Sequence, residues 1–116
     1  MYKAQRLTLE QTVKVIDGQA VTTTDSVISD IVDARGYGYR TVMVSSGLDK
    51  SVSATLQGSY DSAMAEVVSI GDAVAVTSSA PSGFARNDYY PYIRLLVTNA
   101  DAPSTGTLSG WVMLKI

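Results

Sequence analysis

Segments in which apolar and polar residues alternate recur along most of this chain, and short stretches rich in Gly, Asp, Asn or Pro separate them. The clearest segment covers residues 51–57, where Val52, Ala54 and Leu56 alternate with Ser, Thr and Gln. Successive side chains of a β-strand point to opposite faces, so a period of two indicates a strand with one buried face. No segment longer than one turn has the 3.6-residue period of an amphipathic helix. The pattern therefore predicts an all-β protein.

The same pattern predicts about eight strands at a spacing that is typical of an antiparallel β-sandwich or a jelly roll. Asp17-Gly18 predicts a two-residue hairpin turn, because both central positions of a type I′ turn need a positive φ. Gly71-Asp72 divides one apolar region into two short strands, and residues 78–88 form the longest predicted loop. The predicted strand segments are 7–15, 19–24, 26–33, 39–46, 51–57, 65–70, 73–77, 92–98 and 107–115.

A length of 116 residues is that of one domain. We predict a single antiparallel, jelly-roll-like β-sandwich over residues 1–116, with residues 1–6 as a candidate N-terminal arm. The N-terminus has no apolar stretch of the kind found in a signal peptide. No apolar run approaches the roughly 20 residues needed to span a bilayer. We therefore expect synthesis in the cytoplasm and no membrane partner.

The chain contains no histidine and no cysteine. Catalytic Ser-His-Asp and Cys-His sites and ordinary zinc sites are therefore excluded. Asp30, Asp33, Asp61 and Asp72 are predicted to form turns, because the side chain of a loop Asp bonds the nearby backbone. Only a hydrolase with two paired carboxylates would be compatible with this composition. We predict a non-enzymatic protein with no catalytic residue, no metal site and no cofactor.

The overall charge argues against nucleic-acid binding. Nine Lys and Arg residues against eleven Asp and Glu give a net charge of −2, and the sequence pI is about 4.8. Proteins that bind nucleic acid carry a clustered basic surface, because neutralising phosphates drives their affinity. The Lys and Arg residues of this chain are scattered singly, so we expect no nucleic-acid partner.

The segment Tyr89-Tyr90-Pro91-Tyr92 is the strongest aromatic cluster of the sequence. Pro91 cannot donate a ladder hydrogen bond, so it marks the start of a strand or a sheet edge. Three tyrosines beside a proline can form a platform that stacks on sugar rings, or an anchor at a protein interface. Alternatively, the tyrosines cap the end of the core, because consecutive residues of a strand face opposite sides.

Two positions in later strands are open to two interpretations each. Arg94, between apolar residues, is either an exposed cation on the outer face of a sheet or a half-buried partner of Asp33 or Asp61. Trp111 and Met113 lie on the strand face opposite Leu108 and Val112. If that face is exposed, Trp111 and Met113 form an apolar patch that needs a partner; otherwise they belong to the core.

Four segments in order carry a resemblance to a known family: residues 31–37 (IVDARGY), 41–47 (TVMVSSG), 52–61 (VSATLQGSYD) and 92–98 (YIRLLVT). This order of Asp-x-x-Gly-Tyr, strand, Leu-Gln-x-Ser-x-Asp and Tyr-Ile-Arg resembles small β-sandwich virion proteins of tailed bacteriophages. Several proteins of that kind look like decoration or cement subunits of the head. The resemblance covers residues 27–116 and implies no catalytic residues.

The resemblance implies a virion protein that binds the major capsid protein on the outside of the head shell and stabilises it. We expect a homo-oligomer, a trimer or a dimer. Residues 1–6 can add a strand to a neighbour, with Tyr2 and Arg6 as contacts; the alternative is a frayed terminus. The other candidate interface residues are Tyr89, Tyr90, Tyr92, Trp111 and Met113. Two alternative functions are a carbohydrate-binding β-sandwich and a structural component of the tail or baseplate.

Overall fold

The computed structural model describes residues 10–116, and within that range it contains strands and connecting turns but no helix. No helix in this part of the chain is thus long and apolar enough to cross a membrane. The strands are β1 (Glu10–Ala20), β2 (Val27–Ile28), β3 (Val32–Asp33), β4 (Tyr39–Ser46), β5 (Val52–Ser59), β6 (Val68–Val76), β7 (Ser82–Ala85), β8 (Tyr92–Thr98) and β9 (Thr107–Lys115).

The strands form two antiparallel sheets, which confirms the predicted β-sandwich. The first sheet has the order β1-β9-β4-β7, and the second has the order β2-β8-β5-β6, with β3 also paired to β8. Because β2 and β3 pair with the same strand, they act as two halves of one interrupted strand. Counted in this way, residues 10–116 form eight strands, four in each sheet, connected in the order of a jelly roll.

The core lies between the two sheets and follows from the alternation of the sequence. Val42 and Val112 face each other across β4 and β9, and Leu56 and Leu95 do so across β5 and β8. All four side chains are fully buried. Their neighbours along each strand point outwards, and many of these are Ser, Thr or Gln. The period of two in the sequence therefore describes the two faces of each sheet correctly.

The hairpin predicted at Asp17-Gly18 is wrong, because the chain continues through this point as part of β1. Lys14 pairs with Trp111 and Gln19 pairs with Leu108, so both sides of Gly18 lie along the same partner strand, β9. The register shifts on the way, which marks a β-bulge. Gly18 does adopt a positive φ of 57°, and its amide donates a hydrogen bond to Ser109 Oγ.

Other boundaries also differ from the sequence prediction: β1 ends at Ala20 rather than at residue 24, and β6 begins at Val68 rather than at residue 65. Residues 82–85, expected in the longest loop, form the edge strand β7 against β4. Gly71 does not end a strand; its positive φ lies within β6, beside a register shift against β5. The segment 26–33 is interrupted at Ser29, whose hydroxyl accepts a hydrogen bond from the Leu95 amide. The Ser29 hydroxyl thus takes the place of a backbone carbonyl oxygen in the pairing with β8. The strand is interrupted there, which explains why the alternation of this segment is irregular.

Candidate functional site

One end of the sandwich gathers most of the aromatic residues singled out in the sequence. β4 and β8 begin here, and β5 and β9 end here, since Tyr39 pairs with Lys115 and Tyr92 pairs with Ser59. The corner at residues 34–38 and the segment 89–91 meet at this end. The Ala34 amide donates a 2.8 Å hydrogen bond to the Pro91 carbonyl oxygen, which ties the two together.

Arg40 is the side chain that fixes this end, and the sequence analysis did not single it out. It is only 2% exposed and lies on the inner face of β4. Its guanidinium donates hydrogen bonds to three backbone carbonyl oxygens: Nη1 to Tyr90 at 2.7 Å, Nη2 to Ala34 at 3.2 Å and Nε to Tyr37 at 3.3 Å. Burial lowers the pKa of Arg40, and the negative charge of Asp88 partly opposes that effect. One planar cation thus holds the corner and the aromatic segment in a fixed relation.

The three clustered tyrosines have different environments. The ring of Tyr90 lies directly over Gly58, where a Cβ atom would come within 2.6 Å of its Cγ. Tyr92 is half-buried in β8, and the Arg35 guanidinium carbon lies 5.6 Å from its ring centroid. Tyr89, by contrast, is 84% exposed. Tyr90 therefore helps to close the end of the core, Tyr92 lies on the outer face of the second sheet with Arg94, and Tyr89 is the ring that can meet a partner.

A groove opens beside Tyr89. Its walls are the corner at residues 35–38 on one side and Tyr89 with Pro91 on the other, and Arg40 lies beneath it. Arg35 is held at the rim by Asp33, to which its Nε and Nη2 donate hydrogen bonds of 2.9 and 2.7 Å. These bonds lower the pKa of Asp33. We call this feature the Tyr89 groove.

Tyr60 is a second exposed ring at this end, in the loop after β5. It is 79% exposed, and its ring centroid lies 5.2 Å from that of Tyr90. Asp61, next to it, accepts hydrogen bonds from the Ala63 and Ala65 amides, which confirms its predicted role as a turn former. Tyr60 does not line the Tyr89 groove.

The outer face of the first sheet carries the other predicted residues. Trp111 lies beside Met43, and Met113 lies beside Thr41. Met113 and Tyr39 are exposed, whereas Trp111 and Met43 are partly buried by their neighbours. We refer to Tyr39, Met43, Trp111 and Met113 as the outer apolar face. No element of the chain described here covers it, and neither Trp111 nor Met113 belongs to the buried core.

Lys14 restricts access to part of this face. Its Nζ lies 5.2 Å from the Trp111 ring centroid and 2.8 Å from Asp17 Oδ1. The Trp111 ring is therefore partly shielded by a cation–π contact, and that cation is held in place by an ion pair. The most accessible part of the outer apolar face lies towards Met113 and Tyr39, where an open depression is bordered by Glu10 and Lys115.

Several sequence-based alternatives are decided by these contacts. Arg94 is half-buried on the outer face of the second sheet, and its Nε donates a 2.9 Å hydrogen bond to Gln57 Oε1. The predicted pairing of Arg94 with Asp33 or Asp61 is wrong, because Asp33 pairs with Arg35 and Asp61 caps its own loop. Tyr2 and Arg6, the candidate contacts of the N-terminal arm, lie outside the described residues.

Four carboxylates in the described range, those of Asp17, Asp33, Asp49 and Asp61, make structural contacts. Asp49 accepts hydrogen bonds from the hydroxyl and the amide of Ser104, and these bonds lower its pKa. Asp17 and Asp33 form ion pairs with Lys14 and Arg35. Over residues 10–116, no three acidic side chains lie close enough together to hold a metal ion.

Comparison with known proteins gives structural similarity only. No family model and no curated protein matches the chain, so the resemblance to tailed-phage virion proteins stays a prediction. The fold is similar to a chain in the structure of infectious bursal disease virus Gx strain, at 9% identity and a TM-score of 0.49 over 92% of this chain and 32% of that one. It is also similar to PirA, at 11% identity and a TM-score of 0.48 over 97% of both chains. This chain therefore spans about a third of the viral chain, and at such values neither similarity supports a conclusion about function.

Proposed function

We propose that this chain is a non-enzymatic structural protein of a virion, a decoration or cement subunit that binds the outer surface of a head shell through its outer apolar face. The observation that carries the proposal is that Tyr39 and Met113, which are 56% and 38% exposed, lie on the same sheet face as Met43 and Trp111. The order of the four sequence segments described above supports the choice of a tailed-phage partner.

The outer apolar face has the composition of a binding surface. Met and aromatic side chains are enriched at the centres of protein interfaces, whereas charged residues are found at their rims. Here Met43, Met113 and Tyr39 lie together, and Lys115 and Glu10 border them. Exposed patches that are apolar with a polar rim mark interaction sites. A shell built of repeated subunits would offer the complementary surface many times.

The chemistry of the described residues supports a binding role over a catalytic one. A general acid that works near neutral pH needs a raised carboxyl pKa. The hydrogen bonds at Asp33 and Asp49 lower the pKa of both groups instead. Arg40 is saturated with backbone carbonyl contacts and holds a corner of the fold. These side chains organise the protein and leave its surface to perform the function.

Co-sedimentation with undecorated head shells tests the proposal. The shells come from the virus whose genome encodes the chain, and the purified chain is expected to sediment with them at a fixed ratio to the capsid protein. Met113→Glu places an unpaired charge in the proposed interface and should weaken binding by about tenfold or more.

Ile28→Glu is the matched control, because Ile28 is an exposed apolar residue on the outer face of the other sheet. It should bind as the wild type does. Far-UV and near-UV circular dichroism should show that both variants are folded. The proposal fails if the wild-type chain does not sediment with shells, if it binds tail parts instead, or if Met113→Glu binds as tightly as Ile28→Glu.

A further inference from the structure

The Tyr89 groove has the dimensions and the rigidity of a small-molecule site. Its volume is about 410 Å³, within the range of about 300–1,000 Å³ found for ligand sites. Its two walls are joined by the Ala34–Pro91 hydrogen bond and by the bonds from Arg40 to Ala34 and Tyr90. The groove is therefore formed before any ligand enters, which lowers the entropic cost of binding.

The walls combine an aromatic ring with bare backbone. Tyr89 exposes most of its ring along one wall. Gly38 lies on the opposite wall, and a Cβ atom added there would meet no other atom within 4 Å. A flat ring can therefore approach Tyr89 without meeting a side chain at Gly38.

Arg35 supplies hydrogen-bond donors at the rim, and Asp33, which does not itself line the groove, supplies an acceptor bonded to Arg35. Arg35 uses Nε and Nη2 for Asp33, and none of the residues described accepts a bond from its Nη1 group. The Asp33 carboxylate offers acceptor lone pairs beyond the bonds that it receives from Arg35. Sugar hydroxyls donate and accept at the same time, so a paired guanidinium and carboxylate match adjacent hydroxyls.

The charges around the groove balance. Arg35 is paired with Asp33, and the charge of Arg40 is opposed by that of Asp88. A carboxylated or phosphorylated ligand would find no unpaired cation on the rim. The balance of charge therefore favours a ligand with hydroxyl groups and no net charge.

We propose that the Tyr89 groove binds a neutral saccharide, with one sugar ring stacked on Tyr89 and its hydroxyls bonded to Arg35 and Asp33. This function goes beyond shell binding, because none of these three residues belongs to the outer apolar face. A subunit attached through that face would add a sugar-binding site to the particle.

A glycan array with neutral and acidic oligosaccharides is the first test, followed by calorimetric titration of the strongest neutral oligosaccharide. Tyr89→Ala removes the stacking ring, and Gly38→Leu adds a bulky side chain to the groove wall at a position where its Cβ meets no other atom within 4 Å. Each should weaken binding by about tenfold or more, the loss expected for one aromatic contact or for a blocked site. Tyr60→Ala is the matched control, since Tyr60 is equally exposed but does not line the groove, and it should bind within about twofold of the wild type.

Near-UV circular dichroism and shell sedimentation show that each variant is folded. If all of the variants still bind shells, their loss of sugar binding is independent of the proposed shell binding. The proposal is overturned if no neutral saccharide binds, if only acidic saccharides bind, or if folded Tyr89→Ala and Gly38→Leu proteins bind as tightly as Tyr60→Ala. Loss of shell binding together with intact sugar binding would contradict the decoration role and leave the groove supported.

Discussion

Replacing Arg40 by Met should cost more stability than most single substitutions in this fold. The guanidinium satisfies the carbonyl oxygens of Ala34, Tyr37 and Tyr90, and Met retains the apolar stem but leaves these acceptors without their donor. A net loss of about 1–1.5 kcal/mol for each bond gives a total of about 3–4.5 kcal/mol in the free energy of unfolding. Arg40→Lys should lose about half as much, because one ammonium group cannot reach three acceptors that match a planar fork.

Urea unfolding followed by circular dichroism measures this difference. The matched control is Arg94→Met, since Arg94 is half-buried and its Nε makes one side-chain hydrogen bond, to Gln57. That variant should lose less than about 1 kcal/mol. If Arg40→Met loses no more than Arg94→Met, with an unchanged denaturant slope, the guanidinium does not fix the end of the sandwich. The Tyr89 groove would then not be held rigid by Arg40 either.

Three further predictions concern other parts of the fold. Gly106→Ala should cost about 2–4 kcal/mol in a urea melt, because Gly106 has a φ of 100° and a Cβ atom there would collide with the Gly47 carbonyl; an unaffected melt would contradict this geometry. Leu56→Ala should cost about 3 kcal/mol, since Leu56 is fully buried between the sheets, and a loss below about 1 kcal/mol would contradict its place in the core. The stabilising effect of Asp49 should be present above pH 3.8, its ordinary pKa, and should disappear as the pH falls through the lower pKa of the folded protein. The difference in unfolding midpoint between the wild type and Asp49→Asn should accordingly shrink with acidification, and a constant difference would exclude this linkage.

The strands that were predicted well are those with an uninterrupted alternation. β4, β8 and β9 were predicted to the residue, and β5 to within two, because their apolar residues face one core and their polar residues face outwards. β1 was divided in error because the positive φ of Gly18 suits a β-bulge as well as a hairpin turn. β7 was missed because four residues with a glycine among them show too little periodicity.

The candidate site was predictable only in part. Tyr89, Trp111 and Met113 were singled out, but sequence alone could not tell the exposed Tyr89 from the packed Tyr90. Tertiary contacts cause that difference: the Tyr90 ring packs over Gly58, and Arg40 ties the Tyr90 backbone to the corner at residues 34–38. The sequence did contain a sign that Arg40 is important. Arg40 alternates in step with Val42 and Val44 in β4, so its charged side chain must lie on the inner face of the sheet. A buried Arg at such a position requires acceptors, and the turns of the chain supply them.

Site-specific labelling tests most directly whether the outer apolar face binds the shell. The chain has no cysteine, so Met113→Cys and Ile28→Cys each introduce a single thiol, one on the outer face of each sheet. Each variant reacts with a maleimide, both free and after addition of undecorated shells. The increase in the mass of this chain over time gives the labelling rate. The proposed function predicts that shells slow labelling at position 113 by about tenfold or more and leave position 28 nearly unchanged. Equal labelling at both positions in the presence of shells, or protection of position 28 alone, would contradict it.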